Sequence, residues 1–408
     1  MMLKAISLFT GIGGLDFGFE AAGFDTRVAV EMDAACCRTI RQNRDWSVIE
    51  GDIHNVSSRD LLKAGRLRAG EADVLIGGPP CQPFSKSGYW ARGDALRLDD
   101  PRADTLTAYL RVVRDTRPKA LLLENVSGLA YKGKDEGLSR ILDGLKQINR
   151  EVGTRYKAFW QVIDAASFGV PQHRERVFIV ASRDGKAFEF PQATHGNVED
   201  LFSPNRLEPY LTAWDALADL PENPNDPLLK MGGKWADLLP SIPEGENYLW
   251  HTPRGGGRPL FGWRTRYWSF LLKLAKDRPS WTIQAQPGSA TGPFHWRNRK
   301  LSAQEMARLQ TFPSDLTFDC SRGEAQRMLG NAVPSLVAEV LAREIRKQLL
   351  GKPLNGVPGL LPKRQKRKPK LEPVARVPKK FLPLEADHAA HPGEGRGNGA
   401  KSRQRSAA

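Results

Sequence analysis

The chain has 408 residues, with 61 Lys and Arg against 46 Asp and Glu, a formal net charge of +15. Its length suggests two domains or more, and with 40% apolar residues it can bury a sizeable core, which excludes wholesale disorder. The four cysteines, Cys36, Cys37, Cys81 and Cys320, form no CxxC pair, so neither a disulfide framework nor a metal site is expected.

In chain order, short apolar runs alternate with helical periodicity up to about residue 182, the pattern of an open α/β sheet. Strands are predicted at Lys4–Phe9, Thr26–Val30, Val74–Gly77, Ala120–Glu124, Phe159–Asp164 and Arg176–Val180. Helices are predicted at Gly14–Ala22, Ala34–Asn43, Thr105–Thr116 and Gly137–Val152. An open α/β domain is therefore expected over residues 1–184. Residues 185–322 are richer in Pro, Gly and Trp and lack clean periodicity, and read as a separate, smaller loop-rich domain. From Met328 to Leu350 one strong helical pattern returns, so residues 323–350 are expected to close back onto the first domain. Residues 351–408 read as a disordered basic tail.

Several strand ends carry chemistry. Phe9, Gly11, Gly13 and Gly14 follow the first strand and open a helix, where backbone can approach a ligand that a Cβ would obstruct. The glycine spacing is not the dinucleotide fingerprint. Glu31, ending the second strand, is placed for two ribose hydroxyls, and Asp52 sits at the third strand's corner, which together suit a nucleoside without a pyrophosphate. Cys81 follows two prolines that stiffen its support. Glu124 ends another core strand, where burial would raise its pKa and let it donate a proton. Gln172, Arg174 and Arg176 alternate, so in an extended segment they face one way.

These residues resemble the cytosine-5 DNA methyltransferases. Phe9-x-Gly11-x-Gly13-Gly14, Pro80-Cys81-Gln82, Glu124-Asn125-Val126, Gln172-x-Arg174-x-Arg176 and Gly330-Asn331-x-Val333 occur in that family's order, over about residues 4–184 and 278–345. The resemblance implies a Rossmann-like S-adenosylmethionine-dependent methyltransferase sheet with helices on both faces, and a smaller target-recognition domain. It implies that Cys81 is the nucleophile toward carbon 6 of a flipped cytosine. Glu124 would act at ring nitrogen 3 and the exocyclic amine, Arg176 would hold the carbonyl at position 2, and Arg174 would position the loop and a nearby phosphate. It places S-adenosyl-L-methionine against Phe9, Gly11, Gly13, Gly14, Glu31, Asp52 and Asn331. The family usually has serine where this chain has Ala332, so one hydroxyl contact worth ~0.5–1.5 kcal/mol is missing.

The expected activity is site-specific DNA (cytosine-5) methylation in a restriction-modification or epigenetic role. The alternatives are an RNA (tRNA) cytosine-5 methyltransferase and a catalytically silent DNA-binding protein of the same fold. Double-stranded DNA is the expected partner, with a cognate restriction endonuclease as functional counterpart. Residues 254–300 hold ten Lys and Arg against one acid, with eight interleaved aromatics. Gln82, Gln172, Arg254, Arg258, Arg264, Arg266, Arg297 and Arg299 are the candidate DNA contacts, and Trp263, Tyr267, Trp268, Trp281 and Trp296 the accompanying aromatics. With no apolar run of 18 residues and no signal-peptide pattern, a monomer in the cytoplasm, nucleoid-associated through DNA, is expected.

Overall fold

The computed structural model describes residues 2–80, 104–130, 136–197, 207–221, 226–263, 267–366 and 370–386. Its centre is a seven-stranded sheet of β1 (Leu3–Leu8), β2 (Phe24–Glu31), β3 (Val48–Glu50), β4 (Val74–Gly77), β5 (Ala120–Val126), β6 (Lys157–Asp164) and β7 (Glu175–Ser182). The strand order is β3-β2-β1-β4-β5-β7-β6. The first five strands are parallel, and β7 runs antiparallel between β5 and β6. The order reverses between β1 and β4, so a crevice opens where open α/β sheets place ligands.

Side-chain alternation divides the strands between two cores. Ile6 and Leu8 join Val28, Leu75 and Leu121 on one face. There they meet α3 (Ser58–Ala64), α4 (Asp104–Thr116) and α5 (Glu136–Val152) through Leu61, Val112 and Ile141. Leu3, Ala5, Val74 and Leu122 point the other way, onto Leu15 and Phe19 of α1 (Gly14–Ala21). Helix α2 (Ala34–Asn43) is capped by Asp33, whose carboxylate accepts from the Ala35 and Cys36 N–H groups.

The C-terminal pattern differs from the single predicted helix. It divides into α8 (Arg322–Asn331) and α9 (Ser335–Glu344), followed by a wider-wound turn over Ile345–Leu349. Ala332 and Pro334 are both extended, and Pro334, which lacks an N–H and disfavours helical geometry at Val333, keeps the helix from running through. This break lets α1 nest against the start of α9: a Cβ on Gly14 would stand 2.3 Å from Val333 O, and one on Gly18 2.3 Å from Ser335 O.

The stretch after residue 184 contains little regular structure beyond α6 (Ala213–Leu217) and α7 (Ala303–Leu309) among its described residues. One of its cores gathers Leu238, Leu239, Ile242, Tyr248, Leu260, Leu271 and Phe294. The other joins α6, α7 and Trp296 to Ile12, Phe17 and Cys36, so packing runs on across the predicted boundary.

The predicted disordered tail needs correcting. Residues 351–366 and 370–386 lie along the folded chain, and Phe381 is only 3% exposed within the core of Leu238, Tyr248 and Leu271, stacked on Trp235. Residues 387–408 lie outside the described residues.

Candidate active site

The glycine loop leaves β1 through backbone that ordinary residues avoid: φ is +54° at Phe9, +57° at Gly11 and +86° at Gly13. Nothing stands within 4 Å of the place a Gly11 Cβ would occupy, so an open cradle lies over the loop. Glu31 fastens its rim, accepting from the Gly11 N–H at 2.7 Å and the Asp33 N–H at 2.8 Å. Burial pushes the Glu31 carboxyl up, against the lowering effect of those two bonds. Asp52 accepts from the His54 N–H at 3.0 Å and lies 2.7 Å from its Nδ1, and these contacts hold its pKa down. Asn331, ending α8, is exposed. Ala332 packs against the apolar cluster of Met328 and Leu329, so its methyl is used where a hydroxyl was expected.

Sequence reasoning missed Asp16. It is 1% exposed beneath the loop and accepts from Ser7 Oγ at 3.0 Å and Thr26 Oγ1 at 3.1 Å, tying β1, α1 and β2 together. Burial raises its pKa to about 7, against the two hydroxyl bonds. The available signal was a carboxylate between Leu15 and Phe17 in an otherwise apolar helix start.

At the end of β5, Glu124 is 8% exposed and meets Arg176 Nε at 2.9 Å. Burial raises the Glu124 pKa, while Arg176 and Arg174 oppose the rise. A Cβ on Gly78 would stand 2.9 Å from Glu124 Oε2, so a bare glycine makes room for the carboxyl. Asn125 Nδ2 donates to Pro79 O at 3.2 Å and fixes the corner leading into Cys81. Cys81, Gln82, Arg264 and Arg266 lie outside the described residues.

The alternation predicted for Gln172, Arg174 and Arg176 is present, and it turns inward. Gln172 is fully buried and Arg174 is 1% exposed, whereas Glu175 between the arginines is exposed. Gln172 is therefore withdrawn as a DNA contact, and Arg174 as a phosphate contact, because each is enclosed by protein. Arg299 is withdrawn as well: it is 5% exposed and held by both Glu305 oxygens at 2.8 and 2.6 Å. Arg258 pairs with Glu385 at 2.8 Å, Arg297 reaches Glu372 at 4.0 Å, and Arg254 lies 3.9 Å over the Trp263 ring. Trp296 is core, while Tyr267, Trp268 and Trp281 are exposed.

A family model of C-5 cytosine-specific DNA methylases matches residues 3–347. The chain belongs to that family. It is 42% identical to Type II methyltransferase M.SacI of Streptomyces achromogenes, over 85% of this chain and 93% of that protein. It is 34% identical to Type II methyltransferase M.NgoFVII of Neisseria gonorrhoeae, over 84% and 86%. The fold is shared with Entamoeba histolytica methyltransferase EhMeth, with a TM-score of 0.56 and 16% identity over 86% of this chain and 99% of that one. As a C-5 cytosine DNA methyltransferase, the enzyme has DNA as its substrate, and the family implies S-adenosylmethionine as methyl donor. The open glycine cradle, the half-buried Glu31 at its rim and the absence of a dinucleotide glycine pattern fit that nucleoside. Among the described residues no helix is long and apolar enough to cross a membrane, and no cluster of three or more His, Cys, Asp or Glu could hold a metal.

Proposed function

We propose that this enzyme methylates carbon 5 of a flipped cytosine within a specific duplex site, as the modifying partner of a cognate endonuclease. The observation that carries the reading is the pairing of buried Glu124 with half-buried Arg176 beside the Pro79-Pro80 corner, one peptide from Cys81 in the sequence. The relatives named as Type II methyltransferases support the restriction-modification setting.

Carbon 5 of cytosine is a weak nucleophile inside an aromatic ring. The Cys81 thiolate adds to carbon 6 and pushes electrons toward carbon 5. Glu124, whose carboxyl pKa burial raises against the pull of Arg176 and Arg174, gives a proton to ring nitrogen 3, and Arg176 holds the carbonyl oxygen at position 2 while steadying Glu124. S-adenosylmethionine, when bound, supplies an electrophilic methyl group. Phe9, Gly11, Gly13 and Gly14 would line its cradle, Glu31 would accept from the ribose hydroxyls and Asp52 from the adenine amine, and Asn331 would close the methionine end. Loss of the carbon 5 proton and departure of Cys81 then restore the ring. A base stacked in a duplex offers none of these atoms, so the cytosine must leave the helix. Arg254, Arg264, Arg266 and Arg297 are proposed to face the DNA.

A duplex bearing 5-fluorocytosine at the target cannot lose the substituent at carbon 5. In the presence of cofactor it should form a covalent adduct with the wild-type protein and none with Cys81→Ala. An uncrosslinked wild-type protein would sink the proposal, and bisulfite sequencing of DNA from expressing cells would return the site itself.

A further inference from the structure

The segment before β7 and the segment leaving the recognition region run side by side. Ser280 gives its N–H to Pro171 O at 2.9 Å, His173 gives its own to Ser280 O at 2.8 Å, and the Thr282 hydroxyl donates to His173 O at 2.7 Å. A third stretch presses on the same place. A Cβ on Gly330 would stand 2.3 Å from Ala285 N and 2.6 Å from Gln284 C, so α8 passes directly against residues 284 and 285.

Arg174 occupies the meeting point. Its Nη2 donates to Gly330 O at 2.8 Å, its Nη1 reaches Ile283 O at 3.5 Å, and its own N–H is held by Asp164 at 2.9 Å. At 1% exposure the guanidinium has no route to a phosphate, while Arg176, two residues on, meets Glu124 at 2.9 Å. A rigid planar fork can set the spacing of two carbonyls while keeping its charge, which a lysine ammonium cannot do.

We propose that Arg174 is a positioning residue that holds three segments in register: the recognition segment at Ile283, the cofactor wall at Gly330-Asn331, and its own segment, on which Arg176 two residues away meets Glu124 in the base pocket. The proposal rests on the methyltransferase reading. It makes cofactor affinity and the chemical step depend on a side chain that touches neither DNA phosphate nor solvent.

The test uses the full-length protein and the duplex that the wild type methylates, with Arg174→Lys and Thr282→Val as variants. Affinity for S-adenosylmethionine is measured by calorimetry without DNA, DNA affinity across a salt series, and methyl transfer in a single turnover. For Arg174→Lys, cofactor affinity should fall about 3–10-fold and the single-turnover rate about 100-fold, since ångström misplacement costs that much. DNA affinity should stay within about twofold with an unchanged salt slope. A salt slope reduced by about one with cofactor affinity intact would identify a phosphate contact and overturn the proposal. So would a lowered melting temperature with all three quantities falling together. Thr282→Val removes only a hydroxyl at an exposed position between two of the segments, and so guards against misfolding of the first variant. A rate at least threefold slower is expected, and an unchanged rate would count against the coupling. If the wild type transfers no methyl group to any DNA, the functional reading fails, while the cofactor measurement still tests Arg174.

Discussion

Glu124 and Asp16 are both buried carboxyls with raised pKa values, yet their neighbours give them different work. Burial raises the Glu124 pKa and two arginines pull it back. Transfer that needs the protonated acid declines as pH rises through that raised pKa. Replacing Arg176 by Gln removes one lowering charge, so the alkaline decline in single-turnover rate should move to higher pH while the plateau drops about 100-fold or more. An unmoved limb would show that another group titrates. Asp16 bonds to two hydroxyls and has no cation beside it among the causes of its shift, only the like charge of Glu20, and its folded pKa of about 7 lies above the ordinary 3.8. Between those values the folded state binds more proton than the unfolded one, so stability falls as pH rises from about 4 to 7 and is flat above. Asp16→Asn should flatten that window, with urea unfolding at pH 5 and 7.5 differing less than in wild type. An equal difference in both proteins would exclude Asp16 as its source.

At the scale of elements, the nesting of α1 against α9 depends on two glycines. Alanine at position 18 would gain up to about 1 kcal/mol of helix propensity. Its Cβ would also sit 2.3 Å from Ser335 O and 2.6 Å from Glu339 N, contacts with backbone that cannot rotate away. Overpacking should win, and Gly18→Ala should lose about 1–3 kcal/mol in denaturant unfolding; a stabilised variant would mean that α9 shifts freely. The same pair shows what a sequence displays. Six of the seven strands were legible because they are short runs bounded by turn residues, and the chemistry-bearing corners because they end those runs, whereas β3 (Val48–Glu50), three residues with none fully buried, was not among the predicted strands. The break at Pro334 was obscured by apolar spacing that persists on both sides, from Met328 to Ile345. The enclosure of Gln172 and Arg174 was invisible because it is made by residues 280–285 and 330, more than 100 positions away.

On the scale of the whole molecule, the segment after Gly351 changes the meaning of the net charge. Residues 351–408 hold fourteen Lys and Arg against four acids, a composition that reads as a solvated tail. Part of that charge is instead used for fastening. Glu339, fully buried on α9, accepts the Gly359 and Leu360 N–H groups at 2.7 and 2.9 Å. Arg364 donates to Pro209 O and Tyr210 O. Lys276, 3% exposed, sits between Glu244 and Glu372 at 2.9 Å each, and Glu385 takes Arg258. The segment therefore joins α9 to the core around Trp235 and Leu238, although the family match ends at residue 347. Phe381 is its anchor, stacked on Trp235 with centroids 5.7 Å apart. Emptying a buried aromatic site costs about 3–5 kcal/mol, and here the loss falls on a region with few regular elements to share it. Phe381→Ala should thus open residues 226–263 and 267–300 to limited proteolysis while the seven-stranded sheet resists. DNA affinity should weaken more than S-adenosylmethionine affinity, because the cradle at Gly11 and Glu31 lies outside this core. Equal protease resistance in the two proteins would mean that the segment lies on the recognition region without supporting it.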